Sequence, residues 1–206
     1  MKNETLEFYN RNAESYVKST INLNMKENCD IFLSYLKKNA LICDLGCGSC
    51  RDTIYFRNKG FSVIPIDGSK QIALEAEKLT GQKVICQNFL DFNYENKFDG
   101  IWACASIHHL QKPDFTKVME KIENSLKENG ILYFCAKFGT TERVDDKGRV
   151  FLDFNENNFS EFLEASSLSK KLKIAKVYIS GDTMNRPDTC WANFIITKNR
   201  VQEFIK

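Results

Sequence analysis

The sequence predicts an α/β protein: a doubly wound, mostly parallel sheet of seven strands that ends in an antiparallel C-terminal hairpin. Three observations carry this. Short apolar runs alternate with amphipathic helical stretches from residue 40 to residue 137. The first apolar run ends in a glycine-bearing turn that opens a helix. The last two apolar runs, residues 172–180 and 191–198, are joined only by GDTMNRPDTC, which is too short for a crossover helix and so makes that pair antiparallel.

Taken in order, Met25, Cys29, Phe32, Leu33 and Leu36 share one helical face, and residues 40–45 form a strand buried on both sides. A helix over 51–59 stops at Gly60, and residues 61–66 form the second strand, with Pro65 expected at its end because proline cannot donate to a ladder. Ser69 caps a helix whose inner face carries Ile72, Ala76 and Leu79. Residues 83–86 and 98–104 give the third and fourth strands. Phe115, Val118, Met119, Ile122 and Leu126 mark a helix opened by Asp114 after Pro113 and closed by Gly130, and residues 131–137 are the fifth strand. The polar stretch 139–153 is expected to leave the sheet, before a short helix on Phe159, Phe162 and Leu163.

The chain of 206 residues suits one domain, expected over 1–206 with a helical cap at 1–38 and an α/β core at 39–206. Hydrophobic residues make up 43% and charged residues 27%, and no apolar run approaches the roughly 20 residues of a membrane span. The opening MKNETLEFYN carries no apolar signal stretch, so a cytoplasmic protein is expected, without a membrane partner. The 29 basic and 27 acidic residues are intermixed, which gives no electrostatic footprint for nucleic acid. Of the eight cysteines, Cys43, Cys86, Cys104 and Cys135 lie in apolar runs and are expected as reduced thiols.

Chemistry concentrates at Asp44-Leu45-Gly46-Cys47-Gly48-Ser49-Cys50-Arg51-Asp52, where a strand gives way to a helix. Glycines there let backbone approach a ligand, and the helix N-terminus favours a negative group. Asp67 ends the second strand about 20 residues beyond the turn, where an acid accepts from ribose hydroxyls. Together they describe a site for an adenosine-containing cofactor.

DLGCG followed by a lone acid on the next strand resembles the class I S-adenosylmethionine-dependent methyltransferases, whose Rossmann-like sheet also ends in an antiparallel hairpin. FDGIWACASIHHL, the KFG at Lys137 and the RPD at Arg186 are similar to the small tellurite-resistance-type (TehB-like) group. The resemblance implies S-adenosyl-L-methionine as cofactor and S-adenosyl-L-homocysteine as product. It places Gly46 and Gly48 by the methionine part, Asp67 at the ribose, and Gly68 and Ser69 at the adenosine edge, with Cys47 and Arg51 also counted as cofactor-binding. Asn88 and Phe89 would face the adenine, Cys104 and Ser106 the cofactor, and Tyr9 and Tyr16 would belong to an opening helix folded over it. The family usually has a third glycine where this chain has Cys50, and if that position needs a positive φ or close approach, Cys50 should loosen binding.

The resemblance implies methyl transfer to a small molecule by in-line displacement, with His108, His109 and Tyr16 as candidate bases. Lys137 and Arg186 point to an anionic substrate group, although an ion pair of Arg186 with Asp182 or Asp188 is an equal alternative. Asp52 is expected as a helix cap, no metal is expected, and the protein should be a monomer or weak homodimer. Rival readings are a binding module without catalysis, a nicotinamide enzyme, whose G-x-G-x-x-G turn lacks its last glycine here, and an iron-sulfur protein using the C-x3-C-x2-C spacing of Cys43, Cys47 and Cys50.

Overall fold

The computed structural model describes residues 4–199, so residues 1–3 and 200–206 of the expected domain lie outside it. Three helices open the chain: α1 (Glu4–Arg11), α2 (Ala13–Thr20) and α3 (Lys26–Leu33). There follow β1 (Leu41–Leu45), α4 (Arg51–Asn58), β2 (Ser62–Asp67), α5 (Lys70–Thr80), β3 (Ile85–Cys86), β4 (Phe98–Ala103), α6 (Lys112–Ser125) and β5 (Leu126–Lys137). A small hairpin, β6 (Glu142–Val144) and β7 (Val150–Leu152), precedes α7 (Glu156–Glu164), β8 (Leu172–Gly181) and β9 (Cys190–Lys198).

The main sheet has seven strands in the order β3-β2-β1-β4-β5-β9-β8. Its first five strands are parallel, whereas β9 pairs antiparallel with both β5 and β8. The order reverses beside β1 and β4, so the carboxyl ends of these strands open the crevice where such sheets bind ligands.

Alternation along the strands sends successive side chains to opposite faces, and each face has its own core. On one face, Trp102 of β4 stacks on its register neighbour Tyr133 of β5 at 3.8 Å, and Phe32 of α3 and Phe56 of α4 pack against them. On the other, Phe134 and Phe194 stack at 5.8 Å beneath Phe115 of α6 and Phe159 of α7. All eight rings are fully buried, each contributing roughly 1.5–3 kcal/mol through the apolar surface it removes from water. The second helix docks elsewhere, through Ala13 and Val17 against Ile72 of α5, and Tyr9 of α1 packs on the same cluster. No helix among the described residues is long and apolar enough to cross a membrane.

Three local expectations change. Pro65 is not at the end of β2 but inside it, paired with Asp44. The Ile66 carbonyl accepts from Gly46 and Cys47 on the β1 side, so its neighbour Pro65 presents its ring to the β3 side, where pairing begins only at Ile66. Asp52 does not cap α4: its carboxylate holds the Arg51 guanidinium and the Trp102 indole N–H. The helix on Phe115 ends at Ser125 rather than Gly130, because Lys198 Nζ caps the carbonyls of Glu123 and Leu126 at 2.7 and 2.9 Å. The polar stretch after Lys137 leaves the main sheet as expected, as a separate hairpin whose turn at Asp145–Gly148 is closed by a backbone hydrogen bond of 3.0 Å, with Gly148 at φ 78°.

Candidate functional site

The turn after β1 and the acid at the end of β2 are joined directly. Asp67 accepts the backbone N–H of Gly48 through one carboxylate oxygen (3.0 Å) and that of Ser69 through the other (2.8 Å). Burial pushes the Asp67 carboxyl up to about 6, and the two N–H donors oppose that shift. The Ser69 hydroxyl accepts from the Ile72 N–H and donates to Asn10 of α1, so it both caps α5 and ties down the first helix.

Gly46 stands at φ 82°, and a side chain there would meet Ser106 at 2.3 Å. Ser106 in turn donates to the Leu45 carbonyl at 2.7 Å, which clamps the end of β4 onto the end of β1. Beneath the turn, Asp44 is buried and accepts from Thr53 at 2.6 Å, and its carboxyl is raised to about 7 by burial and by nearby Asp52.

Cys50 occupies the left-handed region at φ 61° and is fully buried, with Cys47 and Ala76 as its apolar neighbours. Its side chain packs into the core and does not line either cavity described below. The turn therefore has the backbone shape that a glycine would give it. Cys43 belongs to a separate core cluster, so the three sulfurs of the C-x3-C-x2-C spacing do not converge.

Two cavities meet at this end of the sheet. The smaller, about 80 Å³, is lined by Gly46, Asp67, Gly68, Ser69, Asn88 and Phe89, together with Thr5 and Leu6 of α1. Asn88 uses its side chain to cap the short turn at Phe89–Asp91. The larger, about 580 Å³, carries Arg51, Cys104, His108, Lys137, Arg186 and Trp191 on its walls. Tyr9, Tyr16, Ala105 and His109 line both, forming the partition between them.

Of the residues singled out from the sequence, Cys47 and Gly48 stand apart from the cavity walls. Gly48 lies under the Tyr16 ring, where a Cβ would be 3.3 Å from it, and the Cys47 N–H is engaged by the Ile66 carbonyl. Burial raises the Tyr16 hydroxyl far above its usual range, so it is held protonated. Arg186 forms the ion pair with Asp182, at 2.5 Å, and that bond holds the Asp182 carboxyl well below the carboxylate range.

The adjacent histidines differ. His109 Nδ1 faces the Val150 carbonyl at 2.7 Å and its Nε2 faces the Tyr9 hydroxyl at 2.9 Å, so both nitrogens are engaged. His108 is 1% exposed, stacks 5.5 Å from Trp191, and has no partner on either nitrogen among the described residues. Burial, then the neighbouring His109 and the cations Lys137, Arg143 and Arg149, keeps it neutral.

Sequence reasoning did not find Arg149, Phe151 and Trp191, which with Phe8 of the opening helix complete the larger cavity. For Arg149 and Phe151 a signal existed. The Asp145-Asp146-Lys147-Gly148 turn between short β-prone runs is a hairpin pattern, and β7 carries Phe151 to the site with Arg149 just before it.

Residues 43–134 match the family model described as methyltransferase domain. Among curated proteins, an uncharacterized methyltransferase of Alkaliphilus oremlandii is 27% identical over 95 residues, covering 46% of this chain and 44% of that one. The carboxy-S-adenosyl-L-methionine synthase of Campylobacter concisus is 25% identical over 116 residues, covering 53% and 50%. This chain thus spans about half the length of the curated relatives it matches. Among solved structures, the 1,6-didemethyltoxoflavin-N1-methyltransferase of Burkholderia thailandensis, bound to 1,6-didemethyltoxoflavin and S-adenosylhomocysteine, superposes with a TM-score of 0.74 at 17% identity, covering 95% of this chain and 85% of that one. The sheet order and its terminal antiparallel strands are those of the Rossmann-like methyltransferase fold.

Proposed function

We infer that this chain is a class I S-adenosylmethionine-dependent methyltransferase that acts on a small-molecule acceptor. The family match over residues 43–134 and the fold support the first part. The observation that carries the cofactor reading is the Gly48–Asp67 hydrogen bond of 3.0 Å, which puts the glycine turn and the strand-end acid on one cavity.

The residues present fit a nucleoside joined to an amino acid. Asp67 offers carboxylate lone pairs toward the smaller cavity for ribose hydroxyls, and Phe89 and Asn88 offer a flat face and polar atoms for the base. Gly46 lines this cavity with bare backbone, and a side chain there is excluded because its Cβ would collide with Ser106. Arg51, on the wall of the larger cavity, is the cation nearest the turn in sequence and suits the amino acid's carboxylate.

S-adenosylmethionine, when bound, supplies a methyl group on a sulfonium, whose departing electron pair returns to sulfur. The protein's task is then to hold the acceptor in line and exclude water, an orientation effect that reaches roughly 7–11 kcal/mol. Tyr9 and Tyr16 close the partition from above, and residues 1–38 act as a helical cap on the 39–206 core in one domain. His108, whose ring lines the larger cavity and whose two nitrogens are buried without a partner among the described residues, is the residue suited to receive a proton from the acceptor; His109 positions Tyr9. The likeness of FDGIWACASIHHL, KFG and RPD to the tellurite-resistance-type group is a finer assignment of the same kind.

Incubation with methyl-labelled S-adenosylmethionine and a fractionated cell extract tests the reaction. A labelled small molecule formed together with S-adenosylhomocysteine supports it. Binding of S-adenosylhomocysteine with no labelled product from any fraction favours a binding module instead, and label retained on a modified nucleoside favours chemistry on the cofactor itself.

A further inference from the structure

Away from Arg51, the larger cavity has an unusual combination of walls. Its aromatic side is built from Phe8, Phe151, Trp191 and the His108 ring. Phe151 lies edge-on to both His108 (5.6 Å) and His109 (4.7 Å), while His108 is nearly parallel to Trp191. Four cations surround these rings. Lys137, Arg143 and Arg149 stand 4.5, 4.5 and 5.1 Å from the centre of Phe151, and Arg186 stands 5.8 Å from Trp191.

Three of these cations are already neutralised. Arg143 pairs with Asp153 at 3.2 Å, Arg149 with Asp145 at 2.7 Å and Arg186 with Asp182 at 2.5 Å. Lys137 is different: among the described residues its ammonium makes no hydrogen bond or ion pair, and its contact is the Phe151 face. Burial and then the neighbouring Arg143 and Arg186 hold its ammonium below the usual lysine range. The acids on the cavity wall are Glu27 and Asp182, and Asp182 is engaged by Arg186 and by the Trp191 indole. An unpaired cation at a half-buried wall and a fully buried imidazole with two idle nitrogens are separate observations, and both call for a polar ligand in the same cavity.

We propose that the acceptor is a planar organic anion, with its charge held by Lys137, its ring lodged against Phe151 and Trp191, and one further polar atom bonded to His108. Even with the Arg51 end of the cavity given to the cofactor's amino acid, a small inorganic oxyanion at Lys137 would leave the aromatic walls in contact with water. A neutral ring would use those walls and leave Lys137 unpaired. A flat carboxylate-bearing compound satisfies both. The assignment rests on the methyl-transfer reading for what the cavity serves, but not for what it binds.

The test is calorimetry on the full chain with 4-hydroxybenzoate, 4-hydroxybenzamide and inorganic phosphate, each with and without saturating S-adenosylhomocysteine. Hydroxybenzoate is expected to bind at least tenfold more tightly than the amide or phosphate. Lys137→Met should erase the preference for the carboxylate, whereas Lys137→Arg should retain most of it. His108→Phe keeps the stack on Trp191 and should weaken hydroxybenzoate roughly fivefold to tenfold. Equal binding of acid and amide, phosphate as tight as the benzoate, an unaltered preference in Lys137→Met, or no binding by any of the three would each overturn the proposal. Absence of S-adenosylhomocysteine binding would instead sink the cofactor reading, and the acid-against-amide comparison made without it still decides this one.

Discussion

The Tyr9 hydroxyl lies 2.9 Å from His109 Nε2, a contact across 100 residues of sequence that joins α1 to the turn after β4. A carbonyl can only accept, so His109 donates from Nδ1 to Val150 at 2.7 Å, which leaves Nε2 to accept the tyrosine proton. Burial, the larger influence, lowers the ring's pKa to about 4, so this tautomer is neutral across the physiological range. Three elements, α1, the turn and β7, are therefore fastened by one imidazole.

Tyr9→Phe should loosen this fastening without removing the ring. The lost bond is worth about 1 kcal/mol, which should speed amide hydrogen exchange over Glu4–Arg11 and weaken S-adenosylhomocysteine binding by about fivefold. If α1 exchanges as slowly in the variant as in the parent, the bond does not hold the helix.

Asp67 gives a prediction with a sign. Its folded pKa, raised to about 6 chiefly by burial, means that the unliganded site takes up a proton as pH falls through that value. Ribose hydroxyls donate to the carboxylate, so the ligand favours the ionised form and its affinity should fall as pH drops from about 8 to 5. Asp67→Asn should bind more weakly and lose this dependence. Asp67→Ala should cost an order of magnitude or more, corresponding to roughly 1.5–3 kcal/mol for a charged acceptor. Calorimetry across that pH range measures all three, and unchanged affinity in the alanine variant would remove Asp67 from the site.

The fold was legible because its signals are local and repeated. Residues 40–45 had to be buried on both sides, GDTMNRPDTC was too short for a crossover, and Asp67 followed a glycine turn at the customary distance. The acceptor side was less legible. Arg149 and Phe151 come from a charged stretch whose hairpin turn is readable, but what places them beside His108 is the docking of β7 near the turn at Ile107–His109, which no local pattern shows. Likewise Asp52 was read by its position near a helix start, whereas its partner Trp102 lies 50 residues away on β4. Long-range pairing of this kind leaves no mark in local spacing.

At Cys50 the left-handed backbone costs a side chain roughly 1–2 kcal/mol, while the buried sulfur recovers part of that through Cys47 and Ala76. Cys50→Gly should therefore fold with nearly unchanged stability and cofactor affinity. Cys50→Val, β-branched at φ 61°, should lose about 2 kcal/mol or more by denaturant titration. Equal stability of the two variants would show that the turn relaxes out of the left-handed region.

Lys198 is 7% exposed and bonds both to Glu123, at 3.0 Å, and to the two carbonyls that end α6. Lys198→Met leaves Glu123 with Lys171 at 2.9 Å but strips the helix terminus of its donors. A loss of about 3 kcal/mol is expected, a fall of roughly 6–12 °C in Tm. A melting temperature within a degree or two of the parent would mean that water replaces the ammonium.

His108 should reveal the acceptor's charge through the pH dependence of turnover. Burial and then His109, Lys137, Arg143 and Arg149 hold its pKa well below 6.5, so the neutral base is available throughout the neutral range in the free enzyme. A bound anion offsets the three cations and stabilises the imidazolium, which raises that pKa in the complex. The acid limb of kcat, which reports the complex, should then lie at higher pH than the acid limb of kcat/KM, which reports the free enzyme. His108→Asn should lower kcat by about 100-fold or more if the residue takes the acceptor's proton, and should abolish both limbs. Coincident limbs in the parent enzyme would argue that no charge arrives beside His108, and full turnover in the variant would leave alignment alone to account for the rate.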